Sequence, residues 1–472
     1  MRYVALAAGF DGTLARNGRC EARCVEALRA IAASGRKLIL VTKRELRDVL
    51  QIFPEASVFD YLVAESGAVM HRTATRESTI LAHAPPENFV QELLRRHVTP
   101  LRVGSSIITT GCVHVGEVAA VMRKLQLDCE LVTNDDTLMI LPGGVSKASG
   151  VQAALEELGV SAHNLAAIGN AASDLPLFDL AEHSVAVQNA DPLLKRSADR
   201  TTRDANGDGF VEFARELLAT DLATAPPRHR LVLGTLENQQ DATIAPMDAS
   251  LLVCGPEGSG KAAMCGKLLD QLLNHHYQCC IIGVDLNGRH AVSPKVEVFG
   301  DVQEPPQLAD IMTAMEKPAN SIVVNLAALP AAQMPVFANS LLLLLQELHG
   351  RMGRPHTIVV DEADCILDDS STVPLPVRAD ATMIYSSSSP AQIPRKILRS
   401  VQTVVALGSP STVLDEVCRA TGQRPLALGE MSLPPDQALL WAQQDDVPPV
   451  KLRCTSALRS TPAHTNPRTE YA

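Results

Sequence analysis

Aromatic side chains are scarce in this chain: Phe, Trp and Tyr together make up 3% of its 472 residues, and Trp441 is the single tryptophan. Its cores must therefore be built from Leu, Val, Ile and Ala. No apolar run approaches the roughly 20 residues that a membrane-spanning helix needs; the greasiest, 341–345, is bounded by Ser340 and Gln346. No CxxC pair occurs among the 11 cysteines. Their odd number and scatter suit free thiols in a reducing cytoplasm better than a disulfide framework or a zinc site. Basic charge is short as well. A formal net charge of −11 argues against a surface that coats nucleic acid, though not against a locally basic pore. The opening stretch MRYVALAAGFDGTL lacks the apolar length and cleavage pattern of a signal peptide. The expectation is a soluble cytoplasmic protein with no membrane partner.

With 46% hydrophobic and 20% charged residues, the chain has the composition of a well-cored protein, and its length predicts two substantial domains. In the first half, buried strands are expected at 3–8, 37–42 and 61–64. Helices are expected at 21–33, where Val25, Leu28 and Ile31 recur at helical spacing before Gly35, and at 44–52. This alternation predicts a doubly wound α/β sheet with its ligand site at the carboxyl ends of the strands. Residues 107–110, 115–124, 130–133 and 137–141 read as a small α/β module inserted within about 73–142. The run Asp204, Asn206, Asp208, Gly209 mimics a calcium loop, but its twelfth position is Arg215, so it reads as a turn before the domain's last helix. A linker at 220–230, with paired prolines, closes the domain at 1–219.

Four ordered pieces of this half, GFDGT at 9–13, LVTKR at 40–44, Lys147 in GGVSKASG and IGNAASD at 168–174, resemble the motifs of the haloacid dehalogenase (HAD) phosphatases, in particular the Cof-like branch. AESGA at 64–68 and VAVQNADPLLKRSAD at 185–199 resemble two accessory segments of that family. The resemblance implies a Rossmann-like core whose insertion is a substrate-selecting cap; a plain structural insert is the other reading. It further implies that Asp11 matches the acid/base, Thr42 the phosphate-binding hydroxyl, Lys147 the phosphate-binding cation, and Asp174 a magnesium-site residue alongside Asp11. The nucleophile position is Gly9, which has no side-chain atom to attack phosphorus. A second metal position is Asn170, and Ser173 stands where the family's usual Asn precedes the last Asp. An amide oxygen can coordinate magnesium but brings no charge. The expectation is a phosphatase-shaped domain that is catalytically dead yet still binds a phosphorylated small molecule. The alternative is an active magnesium-dependent phosphohydrolase in which Asp11 activates water directly.

In the second half, LLVCGPEGSGKA at 251–262 places Gly255, Gly258, Ser259, Gly260 and Lys261 between an apolar run and a helical segment carrying Met264, Leu268 and Leu272. Strand, glycine-rich loop and helix is the context of a P-loop: backbone N–H groups close around phosphate oxygens and the lysine reaches the outer phosphates. Ala262 stands where a Ser or Thr would bind magnesium. A hairpin at 231–234 and 242–245 leads into this strand, further strands are expected at 279–285, 322–326, 383–389, 401–407 and 438–442, and a long helix at 336–349. TIVVDEAD at 357–364 reads as an apolar strand ending in Asp361, a magnesium ligand, and Glu362, which orients the attacking water. An acidic pair that merely caps the next helix is the poorer reading, given the P-loop upstream. The arrangement over 231–454 resembles the HerA/FtsK-like P-loop ATPases, which implies ATP as ligand, magnesium, and ring-forming homo-oligomers that move nucleic acid or other substrates. Residues 455–472 read as a disordered tail.

Overall fold

The structure is a computed structural model and describes residues 1–134, 136–247, 249–284, 296–368, 381–443 and 447–454. The expected tail at 455–472 and Asp285 lie outside the described residues. The chain divides into two compact units, with the boundary between Pro226 and Pro227.

The first unit is built on an eight-stranded sheet. Its spatial order is Arg200–Thr201, His183–Ala186, Leu165–Gly169, Ala5–Gly9, Lys37–Val41, Tyr61–Ala64, Val69–Arg72 and Glu77–Ile80. The first six run parallel, and the last two turn back antiparallel. Ala5–Gly9 is buried throughout, as a central parallel strand covered on both faces must be. Helix Ala22–Ala33 buries Cys24, Val25, Leu28 and Ile31, the apolar stripe its sequence carries. The second helix begins later than its periodicity suggests, at Leu46, which leaves Arg44 outside the helix.

The insertion is shorter than expected. Glu77–Ile80 stays in the main sheet, and the separate module runs from helix Glu87–Arg95 through helix Val115–Leu125 to strand Thr137–Pro142. It forms a four-stranded antiparallel sheet with its own core, including Phe89, Leu93, Val118, Val121 and Ile140. The calcium-loop mimic is no turn either: Asn206, Asp208 and Gly209 open helix Asn206–Thr220, and Asp208 pairs with Arg23.

The second unit carries an eleven-stranded sheet in which Thr403–Leu407, Ser250–Cys254, Thr382–Ser387, Thr357–Val360, Cys279–Gly283, Ser321–Asn325 and Val296–Phe299 lie side by side and parallel. Antiparallel strands, among them Gln437–Ala442, extend it on the Thr403–Leu407 side. Apolar layers cover both faces, one including Leu341, Leu345 and Trp441, the other Met264, Leu268 and Leu272 from helix Lys261–Asn274. Cys279 and Cys280 are fully buried strand residues, and burial pushes the Cys279 thiol up to about 12. All 11 cysteines are free thiols. No helix among the described residues is long and apolar enough to cross a membrane.

One close approach fixes the first unit's active edge. Gly67 has φ 110°, and a Cβ there would lie 1.9 Å from the carbonyl oxygen of Ser146, the residue that caps the helix beginning at Lys147. Gly67→Ala meets both left-handed strain and a backbone clash, so it should destabilise the first unit by about 3 kcal/mol or more, read from the urea dependence of unfolding.

Candidate functional site

The first site forms where Ala5–Gly9, Lys37–Val41 and Leu165–Gly169 end together, with Gly9 paired to Val41 and Ala8 to Ile168. The loop after Gly9 turns at Gly12, φ 72°, where a Cβ would lie 2.2 Å from Asn170 Nδ2. Thr13 Oγ1 donates to Asn170 Oδ1 at 3.1 Å, and Asn189 Nδ2 donates to the Gly12 carbonyl at 2.9 Å. Gly9 itself lies outside the left-handed region. The closest atom to a Cβ built there would be Thr13 Oγ1 at 3.0 Å. The backbone conformation at position 9 therefore does not require glycine.

The charged side chains are closed on one another. Asp11 accepts two hydrogen bonds from Arg44, Nε to Oδ2 at 2.8 Å and Nη2 to Oδ1 at 2.7 Å, and the bond to Asp11 raises the Arg44 pKa above its usual value. Lys147 is buried and its Nζ donates to Asp174 Oδ1 at 2.5 Å. The other Asp174 oxygen accepts the N–H groups of Asn170 and Ala171, each at 3.0 Å. Thr42 is buried, and its hydroxyl oxygen accepts the Arg44 N–H at 3.2 Å. Asp11, Thr42, Asn170 and Asp174 thus stand just after the ends of these strands, and Lys147, the first residue of helix Lys147–Leu158, reaches them through Asp174. Arg44 is the addition. The sequence shows it beside Thr42, and only the late start of the second helix turns it toward Asp11.

This donor set does not fit magnesium. A hard dication needs negatively charged oxygens facing a common point. Here Asp11 is engaged twice by Arg44, Asp174 by a lysine and two amides, and the Asn170 oxygen by Thr13. Among the described residues, no three His, Cys, Asp or Glu ligand atoms gather here within 4.8 Å of one another.

Glu65, at the end of strand Tyr61–Ala64, is a second addition. Its buried carboxylate accepts three backbone N–H groups of the inserted module, from Ser105 at 3.1 Å, Ser106 at 2.8 Å and Ile107 at 3.1 Å. Glu65 and Ser66 hold left-handed φ values of 49° and 58°, strain retained where a carboxylate fastens the module to the core. A glutamate in a turn gives no sequence signal for this.

In the second unit, strand Ser250–Cys254 runs through Gly255 into helix Lys261–Asn274. Gly258 and Gly260 take φ values of 76° and 102°. Ser259 is buried and its hydroxyl has no partner among the described residues. Lys261 Nζ folds back onto the Gly255 carbonyl at 2.7 Å, the Pro256 carbonyl at 3.1 Å and Ser388 Oγ at 3.0 Å. The strand Thr382–Ser387 separates this loop's strand from Thr357–Val360, and Ser386 Oγ donates to Asp361. Glu362, left-handed at φ 54°, donates its N–H to Ser386 Oγ at 3.2 Å. Ala262 follows Lys261 in the helix and offers no oxygen.

A central parallel sheet with a loop after its first strand, a buried lysine and an inserted α/β module defines a class of phosphoryl-transfer fold. Residues 6–98 and 121–213 match the family model of haloacid dehalogenase-like hydrolases, and the N-terminal half of the chain is a domain of that kind. Members of this superfamily typically use magnesium. The chain is 29% identical over 222 residues to a phosphoglycolate phosphatase of Methanothermobacter thermautotrophicus, covering 45% of this chain and 98% of that protein. Against the phosphoglycolate phosphatase of Archaeoglobus fulgidus it is 27% identical over 219 residues, covering 44% of this chain and 94% of the relative. A haloacid dehalogenase-like hydrolase structure from Bacteroides thetaiotaomicron superposes with a TM-score of 0.42 at 18% identity, over 46% of this chain and 99% of that one.

Glu65→Ala leaves buried amides without an acceptor, each orphan costing about 1–3 kcal/mol. Hydrogen exchange at residues 105–107 should accelerate by about tenfold or more, while exchange in strand Ala5–Gly9 stays slow.

Proposed function

We propose that this chain is a regulatory or scaffolding protein in which a phosphatase-type domain has ceased to turn over and a second, ATP-binding domain holds nucleotide without efficient hydrolysis. Gly9 carries the first half of this reading. A phosphoaspartate needs a carboxylate at the end of the central strand, and that position has neither a side chain nor a backbone strain that would demand glycine. The second carboxylate replaced, Asn170, spends its oxygen on Thr13. The phosphoglycolate phosphatases among the relatives favour a small phosphate ester as the ligand of this domain.

For the second half, the support is a loop with left-handed Gly258 and Gly260, the unpartnered buried hydroxyl of Ser259, and Lys261 at the start of a helix. A nucleotide's phosphates would exchange with the loop carbonyls for Lys261. Without a hydroxyl at Ala262, magnesium would be held by the phosphates, water and Asp361, with Glu362 left to orient water, so binding outlasts hydrolysis. This reading places ATP and a phosphorylated small molecule among the partners and leaves a ring of subunits as a further proposal.

Two measurements on the purified full-length protein test this. Phosphoglycolate and a panel of sugar phosphates should yield no phosphate above background with magnesium, while Gly9→Asp combined with Asn170→Asp should raise release measurably. ATP should bind, and Lys261→Ala should weaken it about tenfold or more. Phosphate release by the wild type would falsify the first half, and absence of ATP binding would remove the second.

A further inference from the structure

At the carboxyl-terminal edge of the first unit's parallel strands, Asp11 and Asp174 are matched by Arg44 and Lys147, while the Glu65 carboxylate is taken up by backbone amides of the inserted module. Carboxylates at positions 9 and 170 would make the same edge doubly negative, and a phosphate dianion could then enter only with a divalent cation to offset the repulsion. With Gly9 and Asn170 that requirement is gone, and so is the donor set that would hold the cation. The two neutral residues thus remove a charge barrier to an anion.

We propose that this site binds the phosphoryl dianion of a phosphate monoester directly, without magnesium, through Arg44 and Lys147. The proposal rests on the silent-site reading above and adds to it the ligand class and the independence from metal. Arg44 suits the task. Its side chain is about one third exposed, so it can move, whereas its present partner Asp11 occupies only two of its N–H groups. A guanidinium has five donors in a planar fork that matches a phosphoryl group two at a time. Asp11 therefore fills in for an anion at the mouth, and the incoming phosphoryl group shares or takes over its hydrogen bonds. Lys147 lies buried at the start of a helix, where the N-terminal partial charge adds to its own. A Cβ at position 9 would sit 3.0 Å from Thr13 Oγ1, a tight contact that places this hydroxyl against the strand end.

The test is calorimetric titration of the full-length protein with inorganic phosphate and with phosphoglycolate, in EDTA and again in excess magnesium. Binding should occur in EDTA and change by less than about twofold with magnesium. Arg44→Ala should weaken it about tenfold or more, and should do so equally in a Lys261→Ala background, which removes the second unit's loop as a phosphate site. The double variant Gly9→Asp, Asn170→Asp should lose binding in EDTA and regain it with magnesium, with circular dichroism confirming that it is folded. Wild-type binding that requires magnesium, binding lost in Lys261→Ala but kept in Arg44→Ala, or no binding of either anion would overturn the proposal. Release of phosphate from phosphoglycolate by the wild type would instead overturn the silent-site reading on which it rests, so the two failures are distinguishable.

Discussion

Two ion pairs, Asp11 with Arg44 and Lys147 with Asp174, close the active edge of the N-terminal sheet upon itself, and the rest of that domain is arranged around them. The central strand delivers Gly9 and Asp11, its neighbours deliver Thr42, Arg44, Asn170 and Asp174, and Gly67 lets the helix that starts at Lys147 come close enough to complete the set. The half-buried Asp11–Arg44 pair is partly screened by solvent and contributes modestly to stability. The buried Lys147–Asp174 pair is different, because removing one partner leaves a buried charge uncompensated. The side chains at this edge are thus matched to one another.

Much of this was legible in the residues. Parallel strands announced themselves as short apolar runs separated by amphipathic helices, and the resemblance to the family's motifs picked out Asp11, Thr42, Lys147, Asn170 and Asp174 as site residues. Their contacts were not legible. Arg44 sits in a stretch whose helical period continues through it, and only the delayed start at Leu46 frees it to reach Asp11. Glu65 looks like any polar turn residue, because its three acceptor contacts come from amides about forty positions away. The hairpin Val69–Arg72 with Glu77–Ile80 escaped notice for a related reason: its outer strand is exposed along its whole length and carries no alternation of burial.

The second unit shows the same separation between scaffold and chemistry. Its loop keeps the left-handed glycines, the lysine and the acidic strand end, all of which backbone geometry or pairing can maintain. Position 262 carries no hydroxyl.

The most direct measure of the central claim is oxygen exchange. Inorganic phosphate labelled with oxygen-18, incubated with the full-length protein and magnesium in the absence of nucleotide, would lose label to water if an acyl phosphate formed and hydrolysed reversibly at the strand end. The account predicts no loss above the protein-free control. Exchange above that control, abolished by Asp11→Asn, would contradict it.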